Sequence, residues 1–192
     1  MLLRICTFGE PILRAKGEQV RHFDADLRRL SEDMIETMYA NNGIGLAAQQ
    51  IGRQLQLCVV DIAVMSEEEP SHYHYDGKTP PMESFMPLVL INPVVQLVPE
   101  PQGEYNEGCL SFPGIVGEVS RPLSIQVAFQ DLDGQSHDLS CDGMLARVIQ
   151  HEVDHLNGIL FIDRMDRRLV KKLESKVKKI QRQSRSQMKG KA

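Results

Sequence analysis

The chain has 192 residues, 42% of them hydrophobic and 25% charged, with no Trp and only 5% aromatics. That is the balance of a single globular domain whose core rests on aliphatic and Met side chains. No span of about 18 apolar residues and no apolar leader segment appears, so the reading is a cytoplasmic protein with no membrane partner.

The four cysteines, Cys6, Cys58, Cys109 and Cys141, lie far apart without a C-x-x-C pair, which excludes a disulfide framework. Cys58 sits in an apolar run and reads as a buried hydrophobe, and Cys6 and Cys141 read as structural. The net charge of −4 is unevenly spread: residues 164–192 hold twelve Lys and Arg against two acids, leaving an acidic body and a basic end suited to a polyanionic partner.

Along the chain, Ala25 to Ala40 is predicted helical, with Leu27, Leu30, Met34 and Met38 in one stripe, Asp24 as N-cap and Asn41-Asn42-Gly43 as its stop. Gly43 to Gly52 is rich in Gly and Ala and is expected to be a close-approach loop, not a packed element. Strands are expected at 56–64 and 88–98, the second interrupted by Asn92-Pro93, which signals an edge or a bulge. Between them, Ser66 to Met86 has no clear period and reads as an excursion. His72 and His74 in it form an H-x-H pair, open to a metal role or to an exposed loop.

Ser124–Leu132 alternates into Asp133-Gly134, a two-residue hairpin signal, and returns at His137–Cys141. A helix then starts at Asp142 or Gly143, buries Leu145, Val148, Ile149, Val153 and Leu156, and stops at Asn157-Gly158. A last helix runs from about Asp166 to Gln187 on the narrow apolar line Leu169, Leu173, Val177 and Ile180, with Ser184 onward expected to fray. The class is α+β: antiparallel or mixed sheets around a central metal-binding helix, with an N-terminal and a C-terminal helix. Residues 1–165 read as the catalytic domain and 166–192 as its basic helix and tail.

The most informative run lies on the central helix, Gln150-His151-Glu152-Val153-Asp154-His155. Residues four apart share a helix face, so His151 and His155 can hold one divalent metal while Glu152 reaches a water as base. Two histidines leave a hydrolytic metal one protein ligand short. A metallopeptidase would take a downstream Glu or His, but no His follows His155, and Glu174, the last glutamate, stands among basic residues. Upstream, Glu107-Gly108-Cys109-Leu110-Ser111 offers a thiolate, with Gly108 expected to allow close backbone approach; the alternative is an inert core cysteine. A third segment, Gly43-Ile44-Gly45-Leu46-Ala47-Ala48-Gln49-Gln50, lacks the third glycine of a dinucleotide loop but suits an extended peptide lying against backbone.

With these three segments in this order, the chain resembles the peptide deformylases, metal hydrolases that remove the N-formyl group from the formyl-methionine of nascent chains. The likeness runs from about Leu3 to the C-terminal helix. It implies Cys109, His151 and His155 as ligands of one divalent metal, Fe2+ in the cell and Zn2+, Ni2+ or Co2+ in preparations. It implies Glu152 as general acid/base and Gln50 with the Leu110 backbone N–H as the oxyanion site. Nascent formyl-Met polypeptides would be the substrate, and the ribosome the partner of the basic C-terminal helix. Ile44, Leu110, Leu145 and Val148 are candidates to line a slot for Met, ordinary core packing being the alternative, and Gly45 offers backbone to the peptide. Glu107, Asp154 and Arg121 are candidates to hold ligands and helix, or form a structural ion pair. Two departures stand out: the long Ser66–Met86 excursion, and Val116 where some members carry a substrate-binding Arg.

Overall fold

The computed structural model describes residues 1–63 and 71–189. One six-stranded sheet organises the chain: β1 (Gly45–Ala47), β2 (Leu57–Val60), β3 (Tyr73–Tyr75), β4 (Leu88–Gly108), β5 (Val116–Gln130) and β6 (Ser136–Asp142). Its order is β1-β2-β4-β5-β6-β3, and all five pairings are antiparallel. The helices are α1 (Ala25–Ala40), α2 (Gly143–Leu156), the single turn α3 (Phe161–Arg164) and α4 (Arg167–Lys189). The α+β class is as expected, and the six strands pair with one another antiparallel throughout.

The apolar run of β2 is continuous because both faces of the strand are covered. Leu57 and Val59 join Leu46, Ile91 and the α1 residues Leu27, Met34 and Met38 in one core, while Cys58 and Val60 face the α2 residues Leu145, Val148, Ile149 and Leu156 across the sheet. Each such fully buried side chain contributes roughly 1.5–3 kcal/mol of gross stabilisation. A third core joins Cys6, Leu13, Phe112, Phe161 and Met165 to Ile180 of α4.

The bounds of α1 are as predicted, and Asp24 caps it by accepting from the Leu27 N–H at 3.0 Å. The predicted loop after it instead contains β1, a fully buried strand, followed by a 3-10 turn at Ala48–Ile51. The expected strand at 56–64 is shorter, Leu57–Val60, and Val64 lies outside the described residues.

The break at Asn92-Pro93 is a bulge in a central strand, not an edge. Beyond the predicted end at Val98, β4 continues to Gly108, because Pro99 and Pro101 fall in a second register shift where no ladder bond is required of them. The β5–β6 turn is longer than two residues: Asp131 N–H donates to Gln135 O at 2.9 Å around Leu132-Asp133-Gly134, with Gly134 at φ +76°.

Part of the predicted excursion, residues 66–70, lies outside the described residues, and the rest contains β3, which pairs with β6. The expected fraying from Ser184 is not observed up to Lys189: α4 continues, and Ser184 is buried with its Oγ 2.6 Å from Thr7 Oγ1. Residues 190–192 lie outside the described residues.

Candidate metal centre and active site

Cys109 follows the last residue of β4, and α2 carries His151 and His155 one turn apart on the face toward it. The candidate ligand atoms of these three residues lie within 4.8 Å of one another, and Cys109 Sγ is 3.2 Å from His155 Nε2. Among the described residues this is the one group of His, Cys, Asp or Glu gathered to share a metal. His72 and His74 are exposed and outside it: His72 pairs with Asp142 and His74 with Thr79. Glu174 is also remote from it, exposed on α4 beside Lys178, so the peptidase ligand set is not assembled.

Glu107 anchors the cluster from behind. Its Oε2 lies 2.9 Å from His151 Nδ1, which leaves His151 Nε2 for a metal. Arg121 donates to both Glu107 oxygens, from Nε at 2.6 Å and from Nη2 at 3.0 Å, and from Nη1 to Asp154 Oδ2 at 2.7 Å. The three residues expected to brace the helix therefore do meet in one buried network. The chain-order reading missed two further members: Arg147, which donates to Glu107 Oε1 at 2.8 Å, and Arg164, which donates to Asp154. Arg147 stands four residues before His151, so the same periodicity that paired the histidines pointed to it.

Burial opposes charge on Glu107, but hydrogen bonds from His151 and Arg121 outweigh it and hold the carboxyl well below its ordinary range. Burial likewise opposes charge on His151, yet Cys109 and Glu107 raise its pKa well above that of an ordinary histidine. The same two groups favour a cation at that position. His155 is held well below its ordinary value by burial and by the neighbouring charges of His151 and Arg121, which keeps the ring neutral, as metal ligation requires.

Glu152 is 4% exposed, and its Oε2 has no hydrogen-bond partner among the described residues. Burial, with a smaller contribution from Glu107, pushes its carboxyl up to about 7 against the opposing pull of His151 and Arg121. It packs on β1, where Gly45 leaves room for it. The close approach expected within Gly43–Gly52 is found at Gly45, whereas the one expected at Gly108 is not: a Cβ there would make only an ordinary 3.8 Å contact with Val116.

Gln50 Oε1 accepts the Ala47 N–H at 2.8 Å, which turns Nε2 toward Cys109 Sγ at 3.5 Å and Ser111 Oγ at 3.4 Å. Of the apolar slot candidates, Ile44 and Leu110 are half-buried, whereas Leu145 and Val148 are buried in the core beneath the sheet. A groove of about 1010 Å³ beside the start of α1, lined by Leu3, Val20, Arg21 and Leu55 among others, shares no residue with this cluster.

The polypeptide deformylase family profile matches residues 2–171. The chain belongs to that family. A peptide deformylase from Opitutus terrae is 47% identical over 189 residues, 97% of this chain and 96% of the relative. One from Methylacidiphilum infernorum is 41% identical, covering 95% and 94%. Among solved structures, a plant peptide deformylase PDF1B superposes with a TM-score of 0.82 at 33% identity, covering 96% of this chain and 92% of the other. The peptide deformylase of Thermotoga maritima gives 0.72 at 37% identity, covering 86% and 99%. Family membership and the Cys-His-His cluster agree on a site able to bind a metal ion.

Proposed function

We propose that this protein removes the N-formyl group from the N-terminal formyl-methionine of newly made polypeptides, releasing formate. The observation that carries the reading is the Cys109-His151-His155 cluster beside Glu152, a buried carboxyl with an unpartnered oxygen. A thiolate and two imidazoles on a strand end and a rigid helix suit one divalent ion with a position left over. When bound, such an ion supplies Lewis acidity, polarising a carbonyl and lowering the pKa of a water toward neutrality.

The chain's own residues do the rest. Glu152 accepts a proton at Oε2 from the attacking water and returns it to the leaving amine, a role suited to a carboxyl held near 7. Gln50 Nε2, aimed by the Ala47 contact, and the Leu110 backbone N–H donate to the formyl oxygen as charge builds there. β1 is an edge strand, so an extended peptide can pair along Gly45, with the half-buried Ile44 and Leu110 beside the Met side chain and Leu145 and Val148 left to core packing. We take Fe2+ as the metal in the cell, with Zn2+, Ni2+ or Co2+ as substitutes in preparations. A thiolate on Fe2+ would make the site sensitive to oxidation.

Residues 1–165 serve as the catalytic domain and 166–192 as its basic C-terminal helix and tail. Among the described residues no helix is long and apolar enough to cross a membrane. The proposed substrate, a newly made formyl-Met chain, places its work in the cytoplasm. The exposed lysines and arginines of α4 suit docking to ribosomal RNA, with an affinity that falls steeply as salt rises. Because Ile180 and Ser184 of the same helix are buried, charge reversal at Lys171, Lys172, Lys178 and Lys179 tests docking better than truncation does. Unchanged co-sedimentation of that variant with ribosomes at low salt would remove the ribosome from the reading.

The decisive experiment measures formate release from formyl-Met-Ala under anaerobic conditions, with and without chelator, for the wild type and Glu152→Ala. Chelator-sensitive formate from the wild type and a rate lower by roughly 10²–10⁴ in the variant are expected. Cleavage of an unblocked peptide without formate release would overturn the reading in favour of a peptidase.

A further inference from the structure

The geometry points to Arg147 as a positioning residue of the metal centre: it fixes the Glu107 carboxylate against His151 and sets the distance between α2 and the strand end that carries Cys109. This rests on the reading above, since it takes Cys109, His151 and His155 as the ligands.

Arg147, His151 and His155 follow one another at intervals of four and share one face of α2. Two of them reach the same carboxylate. Glu107 Oε1 accepts from Arg147 Nη1 at 2.8 Å and from Arg121 Nε at 2.6 Å; Oε2 accepts from Arg121 Nη2 at 3.0 Å and lies 2.9 Å from His151 Nδ1. Arg121 grips Glu107 as a bidentate pair from the neighbouring strand of the same hairpin and reaches α2 at Asp154, on the C-terminal side of His151. Arg147 comes from the helix that carries both histidines. It therefore ties the same carboxylate to α2 a second time, one turn before His151.

The other donors of Arg147 extend the tie. Nη2 donates to Gly103 O on β4 at 2.7 Å and Nη1 also donates to Val119 O on β5 at 3.1 Å, while the guanidinium carbon lies 5.5 Å from the Tyr105 ring centroid. One side chain, only 8% exposed, thus joins α2 to both strands of the hairpin, and β4 delivers Glu107 and then Cys109 two residues later. Filling a core-facing helix position alone is possible with an apolar side chain and without the desolvation penalty of a guanidinium. The planar fork is what reaches three acceptors on two strands at once, which a Lys cannot do.

The test compares full-length wild type, Arg147→Met and Arg147→Lys. Zn2+ and Co2+ affinity is read by competition with a chelating dye, and the visible absorption of the Co2+-loaded protein reports ligand geometry. Arg147→Met is expected to bind metal about 10–100-fold more weakly, with altered Co2+ bands, and Arg147→Lys to fall between it and the wild type. In a Glu107→Gln background the Met substitution should add less than about twofold, because the path through Glu107 is already broken. A variant with wild-type affinity and spectrum but lowered thermal stability would make Arg147 a fold residue only and overturn the inference. So would the same penalty with and without Glu107. If Arg147→Met does not fold, wild-type metal affinity in Arg147→Lys overturns it equally. Failure of the wild type to bind one tight metal, or equal binding by Cys109→Ala, would instead bring down the ligand assignment beneath it.

Discussion

Gly45 and Glu152 share one wall of the site: a Cβ on Gly45 would stand 2.4 Å from Glu152 Oε1 and 2.9 Å from its Cγ and Cδ. The glycine is required there by space, not by backbone conformation. Gly45→Ala should therefore leave the fold and the three metal ligands intact while pushing the Glu152 carboxyl aside. The expected loss in kcat is about 10²-fold or more, within the range for removing a general acid or base. Metal content and circular dichroism should match the wild type. An alanine variant turning over formyl-Met-Ala at the wild-type rate would separate Gly45 from the work of Glu152.

Gln50 has its carbonyl held by Ala47 and its amide aimed at Cys109 and Ser111, so its donor is fixed before substrate arrives. Gln50→Ala should lower kcat by roughly 10²–10³ with little change in KM, the pattern of a donor used mainly in the transition state. A rise in KM at constant kcat would assign Gln50 to ground-state binding instead.

What could be read from the sequence was local. The α1 stripe with its Asp24 cap and the four-residue spacing of His151 and His155 are set by neighbours within a turn or two, and both stand as expected. What could not be read depends on partners far along the chain. The prolines at 93, 99 and 101 argue against a strand, yet β4 passes them because β5 supplies pairing on either side of two register shifts. Close approach in Gly43–Gly52 could be read, but not what approaches Gly45, because it is a carboxyl more than a hundred residues away in sequence. Ser184 looked like part of a fraying tail because its partner, Thr7, lies at the other end of the chain.

His137 bridges Asp76, at 2.7 Å from Nδ1, and Asp131, at 3.2 Å from Nε2, and so joins the turn after β3 to the end of β5. Burial works against its charged form, but the two carboxylates outweigh burial and raise its pKa above 6.5. A raised folded pKa means that protonation favours the folded state. The contribution is complete below the unfolded value of about 6.5 and is lost as pH rises through the raised folded one. The Tm of the wild type should exceed that of His137→Gln at pH 5.5, and the gap should narrow by pH 9. A gap independent of pH would show that the contact does not depend on the imidazolium charge.

Thr7 and Ser184 close the chain on itself, the half-buried threonine against the buried serine: the two hydroxyls are 2.6 Å apart, and Ser184 Oγ is also 3.0 Å from the Ile180 carbonyl it can donate to. Thr7 lies between two residues that hold the active-site segments, with the Cys6 N–H donating to Gln50 O at 2.6 Å and the Phe8 N–H to Ser111 O at 2.9 Å. Removing either hydroxyl takes away the contact between them, at a cost of about 0.5–1.5 kcal/mol, since Ser184 keeps the Ile180 carbonyl and Thr7 is only half-buried; once one is gone, removing the other breaks no further bond across the pair. Thr7→Val and Ser184→Ala should each lower stability in urea unfolding, and the double variant should lose less than the sum of the two. Strict additivity would mean that the hydroxyls do not act as a pair and that α4 is held here by Ile180 and its apolar neighbours alone.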